Sequence, residues 1–345
     1  MDISRFPLVP GSSPILVTHN EGVWFHTSDG RQILDAGGGA IVTNIGHGRQ
    51  EIARVAAEAL GQLDYVVPIF ATEARVALVE EVSDHWLPDA SWRCVFVSGG
   101  SESVDAAIRV AQLHHVACGR TKRHKVIGRD VSYHGATMGA LAVGSHDRRR
   151  KGLEQLLPSM PKTSHYDPDQ LEKVIELEGA ETISAFIGEP VIGAAAGAYV
   201  PPDDYWTRIS EICAKHDILV IADEVMTGFG RLGTKMGHEA LGFTPDIIAA
   251  GKGLGGGYVP IGGVYCRPDV VEPIGKTDLA LMFYTFAGQD LCCSVAAKVL
   301  EIVRTENLLD RAAVMGEALR KRLEDEFRDH PNVEDIRGRG LLQGL

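Results

Sequence analysis

A lysine set among glycines is the residue of this sequence with the clearest chemical potential. Lys252 follows the apolar run Ile247–Ala250 and lies in the sequence Ala-Gly-Lys-Gly-Leu-Gly-Gly-Gly. A lysine amine forms a Schiff base with an aldehyde, above all when burial or a nearby cation favours its uncharged form. The glycines leave room for a flat ring beside it. A surface lysine in a flexible loop is the alternative interpretation.

The same glycines match the spacing G-x-G-x-x-G through Gly251, Gly253 and Gly256. In a dinucleotide-binding protein a helix begins at this turn. Here Tyr258-Val-Pro-Ile-Gly-Gly263 follows, and no helix tolerates that proline and those glycines. A nucleotide-binding protein is therefore disfavoured.

Two acidic residues follow another apolar run. Asp223 and Glu224 come directly after residues 218–222, Ile-Leu-Val-Ile-Ala. A carboxylate at the end of a buried strand requires a partner, because an unpaired buried charge is costly. The protonated nitrogen of a heterocycle, such as the pyridinium of pyridoxal phosphate, is a suitable partner. An acidic loop or a helix cap is the other interpretation.

A glycine turn, Ser98-Gly-Gly-Ser-Glu-Ser103, comes directly after the apolar run 94–97. The apolar spacing from residue 104 to 111 predicts a helix that begins at this turn. Free N–H groups at the start of such a helix, together with the Ser101 hydroxyl, bind an anion such as phosphate. An ordinary strand-to-helix turn with Ser101 as its N-cap explains the same residues.

An aromatic residue stands near the end of a further run. Tyr133, in Tyr133-His134-Gly135, comes shortly after residues 126–127 and could stack on a cofactor ring. A lone aromatic residue is more often part of a core. By contrast, the 13 histidines lack the paired spacing of metal ligands, and we expect no metal site.

The candidate residues all follow short apolar runs that alternate with helical stretches. Runs rich in Val and Ile are typical of parallel strands buried on both faces, and the intervening helices predict a doubly wound α/β sheet. In such sheets ligands bind at the carboxyl ends of the strands. The runs are residues 94–97, 126–127, 185–187, 218–222, 247–250 and 264–266.

Other elements are predicted at the two ends of the chain. Residues 1–20 contain three prolines and are expected to be irregular, and residues 21–36 alternate like two strands around a turn at 28–30. Apolar spacing predicts a helix over residues 50–63, and helices dominate residues 291–327.

Composition and charge narrow the class of protein. The 345 residues carry a net charge of -12, and the basic residues are dispersed except at residues 148–151, so nucleic acid is not an expected partner. We expect a solvated loop at that basic run, with a phosphate-bearing partner as the alternative. Six cysteines without a C-x-x-C pair, no apolar run of membrane-spanning length and no signal pattern indicate a cytoplasmic protein.

Taken in order, the stretches SGGSES, YHG, DEVMTGFGR and GKGLGGGYVP resemble the class III (ω-amino-acid type) pyridoxal-phosphate-dependent aminotransferases of fold type I. The resemblance covers essentially the whole chain. It implies an α/β large domain with a mostly parallel sheet, plus a smaller domain built from both chain ends. The implied divisions are an N-terminal segment of the small domain at 1–48, the cofactor-binding domain at 49–300 and the beginning of the C-terminal small domain at 301–345.

The resemblance also assigns roles around the cofactor ring. Lys252 would form the Schiff base with pyridoxal phosphate and move a proton between the substrate carbon and the cofactor. Asp223 would keep the ring nitrogen protonated. Val225 and Tyr133 would pack against the two faces of the ring, and His134 would help to position it.

Further roles concern the phosphate and the second subunit. Gly100 and Ser101 would bind the phosphate, and Thr285 would reach the phosphate of a neighbouring subunit, which implies a homodimer with shared active sites. Glu189 would lie near the cofactor or the substrate.

The implied reaction is a transamination in two half-reactions. An amino acid or amine donor gives its amino group to the cofactor, which becomes pyridoxamine phosphate, and a 2-oxo acid acceptor then takes the group. A decarboxylase, racemase or aminomutase on the same fold is an alternative, and so is a non-catalytic relative that binds the cofactor.

Some residues depart from the family pattern. Gly251 stands where Ser or Ala is frequent before the lysine, and Tyr284 where His is frequent. Gln289-Asp290 replaces a frequent Asn-Pro. The sequence ends at Leu345 in a strand-like stretch, whereas family members continue into a part that often supplies a carboxylate-binding arginine.

Overall fold

The computed structural model describes residues 14–345, and within them strands and helices alternate along most of the chain. The strands are β1 (Val17–Glu21), β2 (Trp24–Thr27), β3 (Gln32–Leu34), β4 (Arg93–Val97), β5 (Lys125–Arg129), β6 (Lys162–Thr163), β7 (Ile183–Gly188), β8 (Leu219–Asp223), β9 (Ile247–Ala250), β10 (Gly262–Cys266), β11 (Arg337–Arg339) and β12 (Leu342–Gly344). The α-helices are α1 (Gly38–Ile41), α2 (Gln50–Gln62), α3 (Glu73–His85), α4 (Gly100–Ala117), α5 (Met138–Val143), α6 (Asp147–Arg150), α7 (Gln170–Glu178), α8 (Tyr205–Lys215), α9 (Gly237–Ala240), α10 (Pro268–Gly275), α11 (Asp290–Thr305) and α12 (Leu308–Phe327). Short 3-10 turns lie at Glu154–Leu156, Ala180–Thr182 and Lys252–Leu254.

Seven strands form the central sheet, in the order β4-β10-β9-β8-β7-β5-β6. The neighbours from β9 to β6 are parallel, whereas β10 runs antiparallel to both β4 and β9. The predicted mostly parallel α/β sheet is confirmed. The interpretation of residues 264–266 as a parallel strand is wrong, because a strand buried on both faces has the same apolar composition in either direction.

Helices cover both faces of the sheet. Alternate residues of β9 show this: Ile248 packs in the core that includes α2, α3 and α11, whereas Ile247 packs in the core that includes α4 and α10. This alternation is the period of two expected of a strand. Because both faces of β9 are buried, all its residues are apolar. Polar side chains are therefore expected at the ends of the strands.

The chain ends form small antiparallel units. Strands β1, β2 and β3 make a three-stranded sheet, and β11 pairs with β12. The strands predicted at 21–36 are confirmed. The prediction that residues 1–20 are irregular is wrong for residues 17–20, which pair with β2; residues 1–13 lie outside the described part.

The helices predicted at 50–63 and 291–327 are confirmed as α2 and as α11 with α12. The basic run expected to be a loop instead begins as the short helix α6. The division of the chain after residue 300 falls inside α11, and the proposed domains stay a prediction. No helix among residues 14–345 is long and apolar enough to cross a membrane.

Candidate active site

One pocket opens where the parallel strands and β4 end. Eight of the nine residues expected around the cofactor line it, and Thr285 is the exception. The pocket also includes two residues to which the sequence interpretation gave no role at the cofactor, Gly135 and Met226. Its lining is Gly100, Ser101, Tyr133, His134, Gly135, Glu189, Asp223, Val225, Met226 and Lys252.

The turn before α4 is shaped by close backbone packing. A Cβ atom on Gly100 would lie 2.7 Å from Val225 Cγ1, and one on Gly251 would lie 3.2 Å from the Gly100 backbone. Glycine is therefore required at position 100, because a side chain there would displace Val225. This packing explains why Gly251, the departure from the family pattern, suits its place: it lets the backbone before Lys252 approach α4.

The N-terminus of α4 also contacts the turn after β5. Ser101 Oγ accepts a hydrogen bond from Ala136 N at 3.0 Å. Gly135 has φ +135°, and a Cβ there would be 2.5 Å from Ser101 Oγ. Gly135 belongs to the same Tyr-His-Gly stretch as Tyr133. This contact therefore places Tyr133 near the turn before α4, which is the predicted phosphate-binding turn. The arrangement has the form of an anion site at a helix N-terminus.

A buried carboxylate and a buried histidine form the floor of the pocket. His134 Nδ1 and Asp223 Oδ2 are 2.6 Å apart, and the two residues are each 3% exposed. Asp223 Oδ1 accepts a hydrogen bond from Val225 N at 3.0 Å, which fixes the carboxylate relative to Val225. His134 Nε2 is buried and has no hydrogen-bond partner in the described part of the chain.

The second acid of the pair, Glu224, points away from the pocket and anchors the loop that follows. It is fully buried and accepts hydrogen bonds from Thr227 Oγ1, from Gly237 N at 2.8 Å and from His238 N at 2.7 Å. The ring nitrogen His238 Nδ1 lies 2.9 Å from Glu224 Oε1. Glu224 therefore fixes the start of α9, at Gly237 and His238, relative to the end of β8. The sequence had left its role open.

Glu189 presents a second carboxylate to the pocket. It is 3% exposed, and its oxygens accept hydrogen bonds from Tyr133 N at 3.1 Å and Gly193 N at 3.0 Å. Burial raises the pKa of Glu189, and the nearby Asp223 adds to that effect, while His134 and Arg129 oppose it. Strand β7 ends one residue earlier, so the topology delivers Glu189 to the same edge as Asp223.

Lys252 occupies a strained position at the end of β9. Its φ is +39°, which is uncommon for a residue with a side chain. Burial lowers the pKa of its amine, and Arg231 adds to this, whereas Asp223 and Glu189 oppose it. A lowered pKa favours the uncharged amine that is needed for attack on an aldehyde. No α-helix follows, because a 3-10 turn spans Lys252–Leu254, in agreement with the rejection of a dinucleotide site.

The loop that carries Lys252 is fastened to the segment after α1. Asn44 Nδ2 donates to Gly253 O at 3.0 Å, and Tyr258 Oη donates to Gly46 O at 2.7 Å. The stretch Asn44-Ile-Gly-His-Gly48 also resembles the family, but the sequence indicates no role for Asn44, because its partner lies more than 200 residues away and no local pattern signals the contact.

Thr285 lies apart from the pocket of its own chain. It is exposed, and it stands between the exposed aromatic residues Phe283 and Phe286. Its proposed contact with a neighbouring subunit stays a prediction.

The residues present fit pyridoxal phosphate. Val225, packed against Gly100, offers an apolar surface for a flat ring. Ser101 and the start of α4 suit a phosphate, and Lys252 supplies an amine. The buried Asp223 suits a protonated ring nitrogen, and the unpaired His134 Nε2 suits a further polar contact.

Comparisons with known proteins agree with this chemistry. The family described as "Aminotransferase class-III" matches residues 9–345. A putrescine–pyruvate aminotransferase of Pseudomonas aeruginosa is 34% identical, over 96% of this chain and 76% of its own length. An omega-aminotransferase of Caulobacter vibrioides is 32% identical, over 96% of this chain and 80% of its own.

A solved structure of a similar protein holds the aminated cofactor. It is the omega transaminase of Pseudomonas jessenii in complex with PMP, with a TM-score of 0.92 and 30% identity over 98% of this chain and 81% of that one. Family and structural likeness support transamination over the other reactions of the fold. The chain belongs to the class III aminotransferases, which are pyridoxal-phosphate-dependent enzymes.

Proposed function

We propose that Lys252 is the residue that binds pyridoxal phosphate covalently in this transaminase and that moves the proton of the substrate carbon. The observation that carries the proposal is that one pocket joins the Lys252 amine to the buried Asp223–His134 pair. Pyridoxal phosphate, when bound, supplies an aldehyde that takes up amines and a ring that withdraws electrons from the substrate.

The other pocket residues bind and orient. Asp223, whose carboxylate is fixed by Val225 N and His134, would hold a proton on the ring nitrogen. Gly100 and Ser101 bind the phosphate through backbone N–H groups and the hydroxyl. Tyr133 and Val225, which both line the pocket, would pack against the ring.

For substrates, we propose a primary amine or amino acid as donor and a 2-oxo acid as acceptor. The putrescine–pyruvate relative supports starting with diamines and pyruvate. A donor screen with pyruvate and 2-oxoglutarate tests this: amine-dependent consumption of the 2-oxo acid supports it, and release of CO₂ from amino acids without such consumption favours a decarboxylase.

We further propose a cytoplasmic homodimer in which Thr285 reaches the partner's phosphate. Free cysteines at all six positions support a reducing compartment. The exposed setting of Thr285, outside its own pocket, supports a contact across an interface.

The role of Lys252 is tested by Lys252→Ala with borohydride reduction and peptide mass mapping. We expect a pyridoxyl group on Lys252 in the wild-type enzyme and none in the variant, because alanine offers no amine. Lys235→Ala is a matched control that should keep the group. A pyridoxyl group on Lys235, Lys276 or another lysine would overturn the assignment.

A further inference from the structure

A buried arginine directly behind the pocket has no part in the chemistry described so far. Arg129 ends β5 and is completely buried. Its Nη2 donates to the main-chain oxygen of Glu189 at 2.5 Å, while Nε and Nη1 have no hydrogen-bond partner in the described part of the chain. A buried cation with two unused donors is costly and calls for an explanation.

The surroundings of the guanidinium hold it in one place without neutralising it. Its carbon lies 5.5 Å from the Trp206 ring centroid and 5.9 Å from that of Tyr205. Trp206 is itself fixed, since it stacks on Phe243 at 4.1 Å and donates to Pro190 O at 3.2 Å. The aromatic walls offer cation–π attraction but no negative charge.

The residue whose main-chain oxygen accepts this hydrogen bond, Glu189, also carries a carboxyl group in the pocket. Both Glu189 oxygens are fixed by backbone N–H groups, and the carboxyl group faces the pocket. The ionisable groups facing it are His134, Asp223 and Lys252 from the pocket side and Arg129 from behind. Arg129 is the one among them that lies outside the pocket lining.

We propose that Arg129 is a positioning residue that fixes the backbone at Glu189 and favours the ionised form of the Glu189 carboxyl group in the cofactor pocket. This rests on the proposed function, which gives Glu189 its place beside the cofactor. Through its main-chain oxygen, which accepts bonds from Ser132 Oγ and Ser145 Oγ, Arg129 also holds the turn that carries Tyr133. A purely structural role for Arg129 would not change the protonation of Glu189, whereas the loss of its charge would.

The test measures protonation of Glu189 directly. Infrared difference spectra of the holoenzyme between pH 5 and 9 follow the carbonyl stretch of a protonated carboxyl group, and the band lost in Glu189→Gln belongs to Glu189. In Arg129→Met we expect the midpoint of this band to rise by about one pH unit or more, because an attractive charge is removed. Arg129→Lys, which keeps the charge, should shift it less, and Arg54→Met, on the exposed face of α2, should leave it unchanged.

A double-variant cycle completes the test. If the charge of Arg129 acts through the Glu189 carboxyl group, Arg129→Met should lower cofactor affinity less in the Glu189→Gln background than in the wild type. An unchanged midpoint in Arg129→Met, or an equal loss of affinity in both backgrounds, would overturn the proposal. If Arg129→Met does not fold, folding of the double variant supports a coupled pair, and failure of both contradicts it. The Lys252 adduct, measured in the same samples, reports separately on the proposed function.

Discussion

An amine, two carboxyl groups and an imidazole lie close together in the pocket. Lys252, Asp223, Glu189 and His134 all line the same space. Burial lowers the pKa of the Lys252 amine and raises the pKa of the Glu189 carboxyl group, and groups with shifted pKa values of this kind are frequent in active sites. The positive φ of Lys252 is a strained backbone conformation that the rest of the fold must stabilise.

The role of Asp223 leads to a prediction about the ring nitrogen. Asp223→Asn should retain cofactor and fold yet lose activity by a few hundred-fold, because a neutral amide does not hold the nitrogen proton. Such a loss corresponds to about 3.5 kcal/mol of transition-state stabilisation. The measurements are turnover and the absorbance spectrum of the bound cofactor. Asp130→Asn, at an exposed site after β5, is the control, and near-normal turnover in Asp223→Asn would refute the role.

For single residues, the sequence indicates which side chains are candidates for the site, but it does not indicate their hydrogen-bond partners. Lys252 and Asp223 stand out because each follows an apolar run, and eight predicted residues do share a pocket. The apolar run before them did not distinguish Glu224 from Asp223; the family resemblance singled out Asp223, and the fold shows that the Glu224 oxygens face Gly237 and His238. A hydrogen-bond partner that is distant in the sequence leaves no local signature.

Among the elements, the approach of α4 to the loops after β8 and β9 sets the shape of the pocket. Gly100 and Gly251 allow three backbones to converge around Val225. Because the contact is between backbone and a β-branched side chain, it has little room to adjust.

A methyl group added at this contact should weaken cofactor binding. In Gly100→Ala the new Cβ would lie 2.7 Å from Val225 Cγ1, so Val225, which lines the pocket, must shift. Overpacking of this kind costs about 1–3 kcal/mol, and about 2 kcal/mol taken from the bound state would lower cofactor affinity roughly thirty-fold. Absorbance titration of the apoenzyme with pyridoxal phosphate measures it. Gly61→Ala, where nothing lies within 4 Å, is the matched control; equal affinity in Gly100→Ala and wild type would contradict the packing argument.

Element types were predictable where periodicity is strong, as in α2 and in the buried strands. The direction of β10 was not, because direction depends on which strands are neighbours and not on composition. Strand β1 was missed for a related reason: all five of its residues are exposed, so no apolar alternation marks it.

At the scale of the whole molecule, an exposed apolar surface connects two distant segments. Ile69 and Phe70 are 76% and 59% exposed, and Phe283 and Phe286 are 60% and 59% exposed. The segments touch, since the rings of Tyr65 and Phe286 are 6.1 Å apart. Contiguous apolar surface of this kind marks interaction sites on soluble proteins.

Arg75 ties the two segments into one unit. Its guanidinium donates to Gly288 O at 2.6 Å and to Phe70 O at 2.6 Å. Thr285 lies within the second segment, so a partner subunit seated on this surface would have Thr285 at its edge. The surface and the predicted phosphate contact therefore point to the same interface.

We predict that the enzyme is at least a homodimer through this surface and that Phe286→Asp separates the subunits. A charge placed in the apolar contact must be desolvated on association, which opposes dimer formation. Sedimentation velocity over a range of concentrations measures the state of association, and cofactor affinity should fall together with dimer content because Thr285 would no longer reach its partner's phosphate. Leu177→Asp, at an exposed apolar residue on α7, is the control and should stay dimeric. A wild-type monomer at every concentration that still binds cofactor tightly, or a monomeric Phe286→Asp with undiminished affinity, would show that each pocket is complete within one chain.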